Sequence, residues 1–175
     1  MLLAGTLGYL PNVDGARWWC AEVWPRVRAA VPDAALDIVG RSPTAEVAGL
    51  ADARAGVSVA ADVPSVQPYL RSARIAAVPL RIGTGTRLKA LEAMAAGRPV
   101  VGTSIGLAGL GVTADRDAMV ADDAAGLADA TVTLLRDDAR ATAIAAAARQ
   151  LVEARSSWDA IGDALADDLL AVLSR

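Results

Sequence analysis

The chain has 175 residues, of which 54% are hydrophobic and 21% charged, and its net charge is −3. A chain of this length and composition can bury its own core, so we expect an ordinary soluble globular protein. The acidic balance argues against the basic face of a nucleic-acid-binding protein, and we expect no nucleic-acid partner. The chain has no histidine, and Cys20 is its only cysteine, which excludes an internal disulfide and predicts no metal site.

The sequence also argues against a membrane-spanning or secreted protein. No apolar run reaches the roughly 18 to 20 residues that span a bilayer. The opening segment Met1–Gly5 lacks the basic start of a signal peptide. We therefore expect a cytoplasmic protein with no transmembrane segment.

The first half of the chain alternates apolar runs with amphipathic segments. The pattern predicts strands over residues 2–5, 35–40 and 57–63, and helices over residues 44–53 and 66–72. Between the first two strands, Asn12 is predicted to be the N-cap of a helix, and Pro25 is expected to kink or divide that helix near Trp24. Its apolar stripe comprises Trp18, Trp19, Val23 and Val27.

The second half continues the alternation and then becomes helical. Strands are predicted over residues 74–80, 99–103 and 119–121, and helices over residues 125–135, 139–152 and 158–173. Strand–helix alternation with short turns predicts a doubly wound parallel α/β sheet with a helical C-terminal tail. We expect one domain over residues 1–175.

A glycine- and threonine-rich loop opens the most informative stretch, Arg81–Val101, which reads RIGTGTRLKALEAMAAGRPVV. Because the loop follows a predicted strand and starts a helix, its free amides should face a crevice at the sheet edge, where anions bind. The backbone around Gly85 and the hydroxyls of Thr84 and Thr86 would approach a diphosphate, and Arg87 and Lys89 would supply positive charge.

Two further parts of the chain are expected at the same crevice. Ligands of open parallel sheets bind beyond the carboxyl ends of the strands, so the turns Gly5–Gly8 and Gly40–Arg41 should converge on that edge. Glu92 lies in the helix that follows the loop, and a carboxylate there can accept two hydrogen bonds from a vicinal diol such as ribose.

Each of these features also has a purely structural interpretation. A glycine-rich turn can simply start a helix, and Lys89 and Glu92 can form a surface ion pair. Asp122 and Asp123 are interpreted as helix caps rather than metal ligands. The tryptophans of the first helix are interpreted as core residues rather than a sugar platform, and Cys20 as a small buried apolar residue.

Five ordered motifs together resemble the C-terminal, donor-binding domain of GT-B glycosyltransferases of family 4, also called group 1. The resemblance spans essentially the whole chain. The motifs are Gly5-x-x-Gly8-Tyr-x-Pro-Asn-Val-Asp14, Leu36-x-Ile-Val-Gly-Arg41, Val78-Pro-Leu followed by Gly83-Thr-Gly-Thr-Arg-Leu-Lys89, Leu91-Glu-Ala-Met-Ala-Ala-Gly-Arg-Pro-Val-Val101, and Ala148-Arg149 with Ser157-Trp158.

The resemblance implies a nucleotide-diphosphate-sugar donor at the carboxyl edge of a Rossmann-like sheet, transfer with retention at the anomeric carbon, and no cofactor or obligatory metal. Glu92 matches the glutamate that holds the donor ribose, and Gly8 matches the first-loop glycine that faces the diphosphate. Val63 matches the strand end whose main chain hydrogen-bonds the nucleobase. Arg41 is also expected at the donor site. No catalytic residue is assigned.

The chain departs from the family pattern in three ways. Thr84 stands where the family's first glutamate contacts the donor sugar. The basic phosphate clamp after the first strand is missing, and Arg87 and Lys89 are its available replacements. The N-terminal acceptor domain has no counterpart, so we expect a truncated donor-binding half with a Rossmann-like core over about residues 1–155 and a C-terminal helix over about 156–175.

Two functions follow from these expectations. The first is the donor-binding domain of a retaining glycosyltransferase, inactive alone without its N-terminal domain. The second is a noncatalytic interaction or regulatory module that has kept the fold, in line with the change at Thr84. In either case, apolar surface should remain exposed where the missing domain packs, and a homodimer through that surface is one way to cover it.

Overall fold

A computed structural model describes residues 1–173, apart from the side chain of Asp168. Its six strands pair in parallel in the order β3-β2-β1-β4-β5-β6, which confirms the predicted parallel α/β sheet. The strands are β1 Leu2–Thr6, β2 Leu36–Arg41, β3 Val57–Ala61, β4 Ala76–Val78, β5 Val100–Gly102 and β6 Met119–Val120.

Eight α-helices and one π-helical turn connect or follow the strands within residues 1–173. They are α1 Leu10–Trp18, the π-helical turn Trp19–Val23, α2 Trp24–Ala30, α3 Ala45–Ala48, α4 Gln67–Ser72, α5 Leu88–Ala95, α6 Ala124–Arg136, α7 Asp138–Ser156 and α8 Trp158–Leu173. Among these residues, no helix combines the length and apolarity needed to cross a membrane.

Helices cover both faces of the sheet, because successive side chains of a strand point to opposite sides. Leu3 packs with the face covered by α1, α2 and α6, whereas Leu2 packs with the face covered by α4, α5 and α7. The sheet is therefore the middle of three layers, and its carboxyl edge is left free to carry a site.

Three tryptophans belong to the core, as interpreted from the sequence. Trp18, Trp19 and Trp24 are all buried, and the Trp24 Nε1 atom donates a hydrogen bond of 2.8 Å to the carbonyl oxygen of Ala55. Trp158, which begins α8, is 88% exposed. The tryptophans of the first helix thus fix helices to the sheet and do not form a sugar platform.

Asn12 is not the N-cap predicted from its residue type. Tyr9 occupies the N-cap position, α1 begins at Leu10, and Pro11 lies in the first turn, where its missing N–H costs nothing. The helix also divides where Pro25 predicts: the π-helical turn ends at Val23, and α2 starts at Trp24. Asn12 is consequently free to turn its amide toward the end of β1.

Several elements end earlier than predicted, among them the helix after β2 and the third strand. The helix predicted over 44–53 is confined to α3 and ends at Ala48, one residue before Gly49. The strand predicted over 57–63 ends at Ala61, because Asp62 adopts a positive φ of 51° and accepts a hydrogen bond of 2.7 Å from the Ser42 amide. Val63 therefore lies beyond the strand rather than at its end.

The last helix exposes apolar side chains along its length, as expected. It packs beside α7, yet several of its large side chains are more than a third exposed: Trp158, Ile161, Leu165, Leu169, Val172 and Leu173. The missing domain and the homodimer expected at this surface stay predictions.

Candidate functional site

An open cavity of about 550 Å³ lies at the carboxyl edge of the sheet. Its walls come from the ends of β1 and β2, from the segments that follow β3 and β4, and from α5. Connections from β1 and β4 leave the sheet in opposite directions, and such a topological switch point is where parallel α/β sheets bind ligands. The backbone alone therefore marks this cavity as the candidate site.

Most of the residues predicted from the sequence meet in this cavity. The predicted residues that line it are Arg41, Val63, Thr84, Thr86, Arg87, Lys89 and Glu92. The charged side chains among all its described lining residues are Arg41, Arg87, Lys89 and Glu92. Three cations against one carboxylate favour an anionic ligand.

The two predicted glycines are not among the described lining residues of the cavity. Gly8 packs against the turn after β2, since a Cβ built on it would lie 2.7 Å from the carbonyl oxygen of Ser42. Gly5, at the end of β1, lines the cavity, and the expected role of Gly8 toward the diphosphate stays a prediction. Gly85 has a positive φ of 88° with open space around its Cα, and it lets the loop turn between the two threonines.

Arg87 is the residue whose position differs most from its predicted role. Its side chain is 6% exposed, and its guanidinium donates to four backbone carbonyls: Gly83 at 3.0 Å, Thr84 at 2.8 Å, Gly85 at 3.0 Å and Ile105 at 2.9 Å. These bonds use most of its five N–H donors. The guanidinium therefore organises the loop rather than standing free as a phosphate clamp.

This arrangement of carbonyls sets the direction of the loop amides. In a trans peptide the C=O and the following N–H point in opposite directions. Because the carbonyls of Gly83, Thr84 and Gly85 point at Arg87, the N–H groups of Thr84, Gly85 and Thr86 point away from it. These three amides have no hydrogen-bond acceptor within residues 1–173. A row of free amides of this kind suits an anion.

The start of α5 adds two more free donors beside the loop. The helix has no side-chain cap, and the amides of Leu88 and Lys89 likewise lack an acceptor among the described residues. Unpaired first-turn amides carry the positive end of the helix dipole. Four of these five residues, Thr84, Thr86, Leu88 and Lys89, line the cavity, so the loop and the helix start bring free donors to its wall.

Lys89 is the one lysine of the chain, and it is half-buried. The Nζ atom donates a hydrogen bond to Oδ1 of Asn12. Burial, followed by the nearby charge of Arg87, lowers the pKa of Lys89 to about 8. The ammonium is not within ion-pair distance of an acidic side chain among residues 1–173, so the surface pair with Glu92 does not form.

Glu92 is exposed and lines the same cavity one helical turn beyond Lys89. Its carboxylate has no hydrogen-bond or ion-pair partner within the described part of the chain. Both oxygens are therefore available to accept hydrogen bonds from hydroxyl groups of a ligand.

Sequence reasoning missed several residues of the cavity wall. Asn12 is one of them, because its residue type suggests a helix cap. Pro11, just before it, is the signal that the helix has already started, since proline is favoured in the first turn. The remaining missed residues include Tyr9 and the segment 64–66. This segment follows β3, so its position depends on the order of strands in the sheet rather than on local pattern.

Of the acidic pair after β6, Asp123 is the helix cap that was expected, whereas Asp122 bonds the turn after β5 and caps no helix, which corrects its interpretation. Asp123 accepts a hydrogen bond of 2.7 Å from the Gly126 amide at the start of α6, and Asp122 accepts one of 2.7 Å from the Ser104 amide. Within residues 1–173, no group of three or more histidine, cysteine or acidic side chains could hold a metal ion. Cys20 is half-buried, and burial raises the pKa of its thiol to about 11.

The chain matches the family model described as "Glycosyl transferases group 1" over residues 1–137. A curated relative, the GDP-mannose-dependent alpha-(1-6)-phosphatidylinositol monomannoside mannosyltransferase of Mycobacterium tuberculosis, is 34% identical to it over 161 residues. The match covers 83% of this chain and 41% of the relative, so the chain spans less than half the length of that protein.

Solved structures of glycosyltransferases share the fold. The C-terminal domain of a group 1 family glycosyl transferase from Francisella tularensis superposes with a TM-score of 0.72 at 18% identity, covering 90% of this chain and 86% of that one. HepE from Anabaena in complex with UDP superposes with a TM-score of 0.71 at 15% identity, covering 97% of this chain and 48% of that one. By the family match over most of its length, the chain belongs to the group 1 glycosyl transferases.

Proposed function

We propose that the cavity at the carboxyl edge of the sheet binds the nucleotide-diphosphate-sugar donor of a glycosyltransferase that retains the anomeric configuration. One observation carries this proposal. A single cavity of about 550 Å³ brings together Thr84 and Thr86 of the loop, whose amides are free, with Lys89 and with Glu92, whose carboxylate is unpaired. That combination matches an anion flanked by a diol, which is the chemistry of a nucleoside diphosphate.

Each part of the donor has a complementary part of the wall. The diphosphate lies against the amides of Thr84, Gly85 and Thr86 and against Lys89, because these groups supply hydrogen-bond donors and positive charge. Glu92 accepts hydrogen bonds from the ribose hydroxyls. The nucleobase lies toward Val63 and the segment after β3, which also line the cavity.

The base and sugar of the donor are suggested by the relatives. The mycobacterial relative is named as GDP-mannose-dependent, and the Anabaena neighbour was solved with UDP. Because the sequence match to the mannosyltransferase is the closer of these two, we propose GDP-mannose as the first donor to test and UDP-sugars as the second. No metal or cofactor takes part in this proposal.

Thr84 bears on the recognition of the sugar. A threonine hydroxyl is neutral and short, whereas the glutamate that the family pattern has at this position is charged and longer. In the proposal, the Thr84 hydroxyl and the adjacent amides take over the contact with the transferred sugar. The acceptor binds to a second domain of the kind that the family resemblance implies.

Isothermal titration calorimetry of the 175-residue chain with GDP, UDP, GDP-mannose and UDP-glucose tests the proposal. We expect saturable binding of at least one nucleotide, and a loss of about tenfold in affinity for Glu92→Gln because one charged acceptor is removed. Gln150→Glu, on the exposed face of α7, is the matched control and should bind like the wild type.

Two outcomes would count against donor binding. Absence of saturable heat with all four nucleotides would favour the noncatalytic module that keeps only the fold. Binding that is unchanged in Glu92→Gln would mean that the nucleotide sits elsewhere on the chain.

A further inference from the structure

The environment of Lys89 contains a contact that the donor-site assignment leaves unexplained. Asn12 is 6% exposed, and its side chain joins two elements. Its Nδ2 atom donates a hydrogen bond of 2.8 Å to the carbonyl oxygen of Thr6, at the end of β1. With that nitrogen committed to a carbonyl, the Oδ1 atom must face the other way, and there it accepts the hydrogen bond from Lys89 Nζ.

Gly5 brings the three groups into contact. A Cβ built on Gly5 would lie 2.8 Å from Asn12 Nδ2 and 3.2 Å from Lys89 Nζ. The strand end, the buried amide and the ammonium therefore touch one another, and the lack of a side chain at Gly5 gives them the space. Lys89 is held against the floor of the cavity at the end of β1, next to the topological switch point.

The hydrogen-bond acceptor of the Lys89 ammonium is a neutral group, the side-chain amide oxygen of Asn12. An aspartate at position 12 would cancel the charge of Lys89, whereas an amide oxygen orients the ammonium and leaves its full charge to act on a ligand. The other charged groups facing the cavity are Arg41, Arg87 and Glu92. Arg87 is occupied by backbone carbonyls, and Arg41 lies at the end of β2. Lys89, whose ammonium lies beside Gly5, is therefore the cation best placed to meet an anion at the end of β1.

We propose that Asn12 is a positioning residue that fixes the Lys89 ammonium at the carboxyl end of β1 without neutralising it, so that the ammonium meets the diphosphate of the donor. This inference rests on the proposed donor site and adds how its missing phosphate clamp is replaced. Lys89 of α5, held in place by Asn12 of α1, takes the role that a basic residue after β1 has in the family pattern.

The composition of the chain allows a direct test by NMR. Lys89 is the one lysine and Asn12 the one asparagine of the sequence, so lysine labelled with ¹³C at Cε gives one signal, and labelled asparagine one side-chain amide. We expect the Lys89 signal to titrate near its lowered pKa of about 8. The Asn12 amide should titrate with the same midpoint, because it loses its partner's charge at that pH.

Asn12→Asp supplies the complementary measurement. The added carboxylate should raise the Lys89 midpoint above about 9, since an opposite charge favours the ammonium. It should also weaken pyrophosphate binding near neutral pH by about tenfold. Gln150→Glu adds the same charge on α7, away from the cavity, and should leave both the midpoint and the affinity unchanged.

The outcomes separate this inference from the donor assignment. Pyrophosphate that raises the Lys89 midpoint and shifts the Asn12 amide supports the positioning role, even if GDP and UDP fail to bind and the donor assignment falls. An Asn12 amide that does not follow the Lys89 titration in the wild type overturns the role. So does pyrophosphate that leaves the Lys89 signal unmoved, and neither result depends on whether Asn12→Asp folds.

Discussion

Two cationic side chains that flank the same loop are held in opposite ways. Arg81 forms a two-pronged ion pair with Asp14, including an Nε–Oδ2 bond of 2.9 Å, and stacks on the Trp18 ring at 5.0 Å from the centroid. The hydrogen bond from Arg81 keeps the pKa of Asp14 below its ordinary value. Lys89, on the other side of the loop, bonds only a neutral amide among the described residues.

The difference separates structural charge from charge that is available to a ligand. The charge of Arg81 is cancelled by its partner and serves to tie the loop to α1. Arg87 lies between Arg81 and Lys89 in the sequence. Its guanidinium donates hydrogen bonds to four backbone carbonyls and so fixes the conformation of the loop. Lys89 keeps an unpaired positive charge in a partly buried position. Burial of this charge lowers the stability of the fold, but the ammonium stays available to bind an anion.

Arg87→Ala is expected to have the largest effect. It removes the four hydrogen bonds that the guanidinium donates to partly buried carbonyls, so the free energy of unfolding should fall by about 3 kcal/mol. Urea unfolding followed by circular dichroism measures this loss. Arg87→Lys keeps the charge but loses most of the bonds, and we expect it to be nearly as unstable. A lysine variant that is stable and binds nucleotide like the wild type would show that Arg87 acts through its charge.

Lys89→Met should have the next largest effect, now on binding. Removal of the uncancelled charge should weaken the binding of GDP or UDP by about 30-fold near neutral pH, as measured by calorimetry. Arg149→Met removes an exposed cation that is paired with Glu153 on α7 and serves as the control. Equal losses in the two variants would mean that only the net charge of the protein matters.

The stability of the folded protein should depend on the state of Lys89. The pKa of Lys89 is lowered to about 8 from an ordinary value of 10.5, so the unfolded chain binds more protons between these values. The cost of the buried ammonium is fully present below about pH 8 and is relieved as pH rises toward 10.5.

The free energy of unfolding of the wild type, relative to Lys89→Met, should therefore increase by about 1 to 2 kcal/mol between neutral pH and about pH 10. Urea unfolding of both proteins across this range measures the difference. A difference that is constant with pH, or that shrinks, would contradict the account of Lys89.

Glu92→Gln is expected to act on ribose recognition alone. Its affinity for GDP or UDP should fall by about tenfold, whereas its affinity for inorganic pyrophosphate, which has no ribose, should not change. Because Glu92 is exposed, its stability should stay within about 0.5 kcal/mol of the wild type. A parallel loss of pyrophosphate affinity would show that the carboxylate acts on the diphosphate region instead.

The smallest effect is expected for the Arg81–Asp14 pair. Its side chains are 44% and 27% exposed, so a double-mutant cycle with Arg81→Ala and Asp14→Ala should give a coupling of about 0.5 to 1 kcal/mol in stability. Nucleotide affinity should change less than twofold, or about 0.4 kcal/mol. A large loss of affinity would place Arg81 in the ligand site and remove the contrast with Lys89.

The fold was predictable from the sequence because local pattern and topology agree. Glycine-terminated apolar runs indicate the strands, and parallel strands joined by helices allow few arrangements. The same rule predicts that the loop with Thr84 and Thr86 lies at the same edge of the sheet as the helix that carries Glu92.

The roles of single side chains were harder to predict, for two physical reasons. Arg87 bonds Ile105, which is distant in sequence and reaches the loop only through the order of β4 and β5. Asn12 has a residue type favoured at helix caps, and only its burial beside β1 reveals another role. Residue propensities predict the secondary structure in which a residue is favoured. The hydrogen bonds of Arg87 and Asn12 depend instead on tertiary contacts, which propensities do not describe.

A crystal structure of the chain with GDP or UDP bound tests the central claim most directly. We predict the diphosphate in the cavity at the end of β1, with a phosphate oxygen within hydrogen-bond distance of Lys89 Nζ and the amides of residues 84–86, and with the ribose hydroxyls on the carboxylate of Glu92. A nucleotide bound outside this cavity, or bound inside it with its ribose away from Glu92 and its phosphates away from Lys89, would contradict the account.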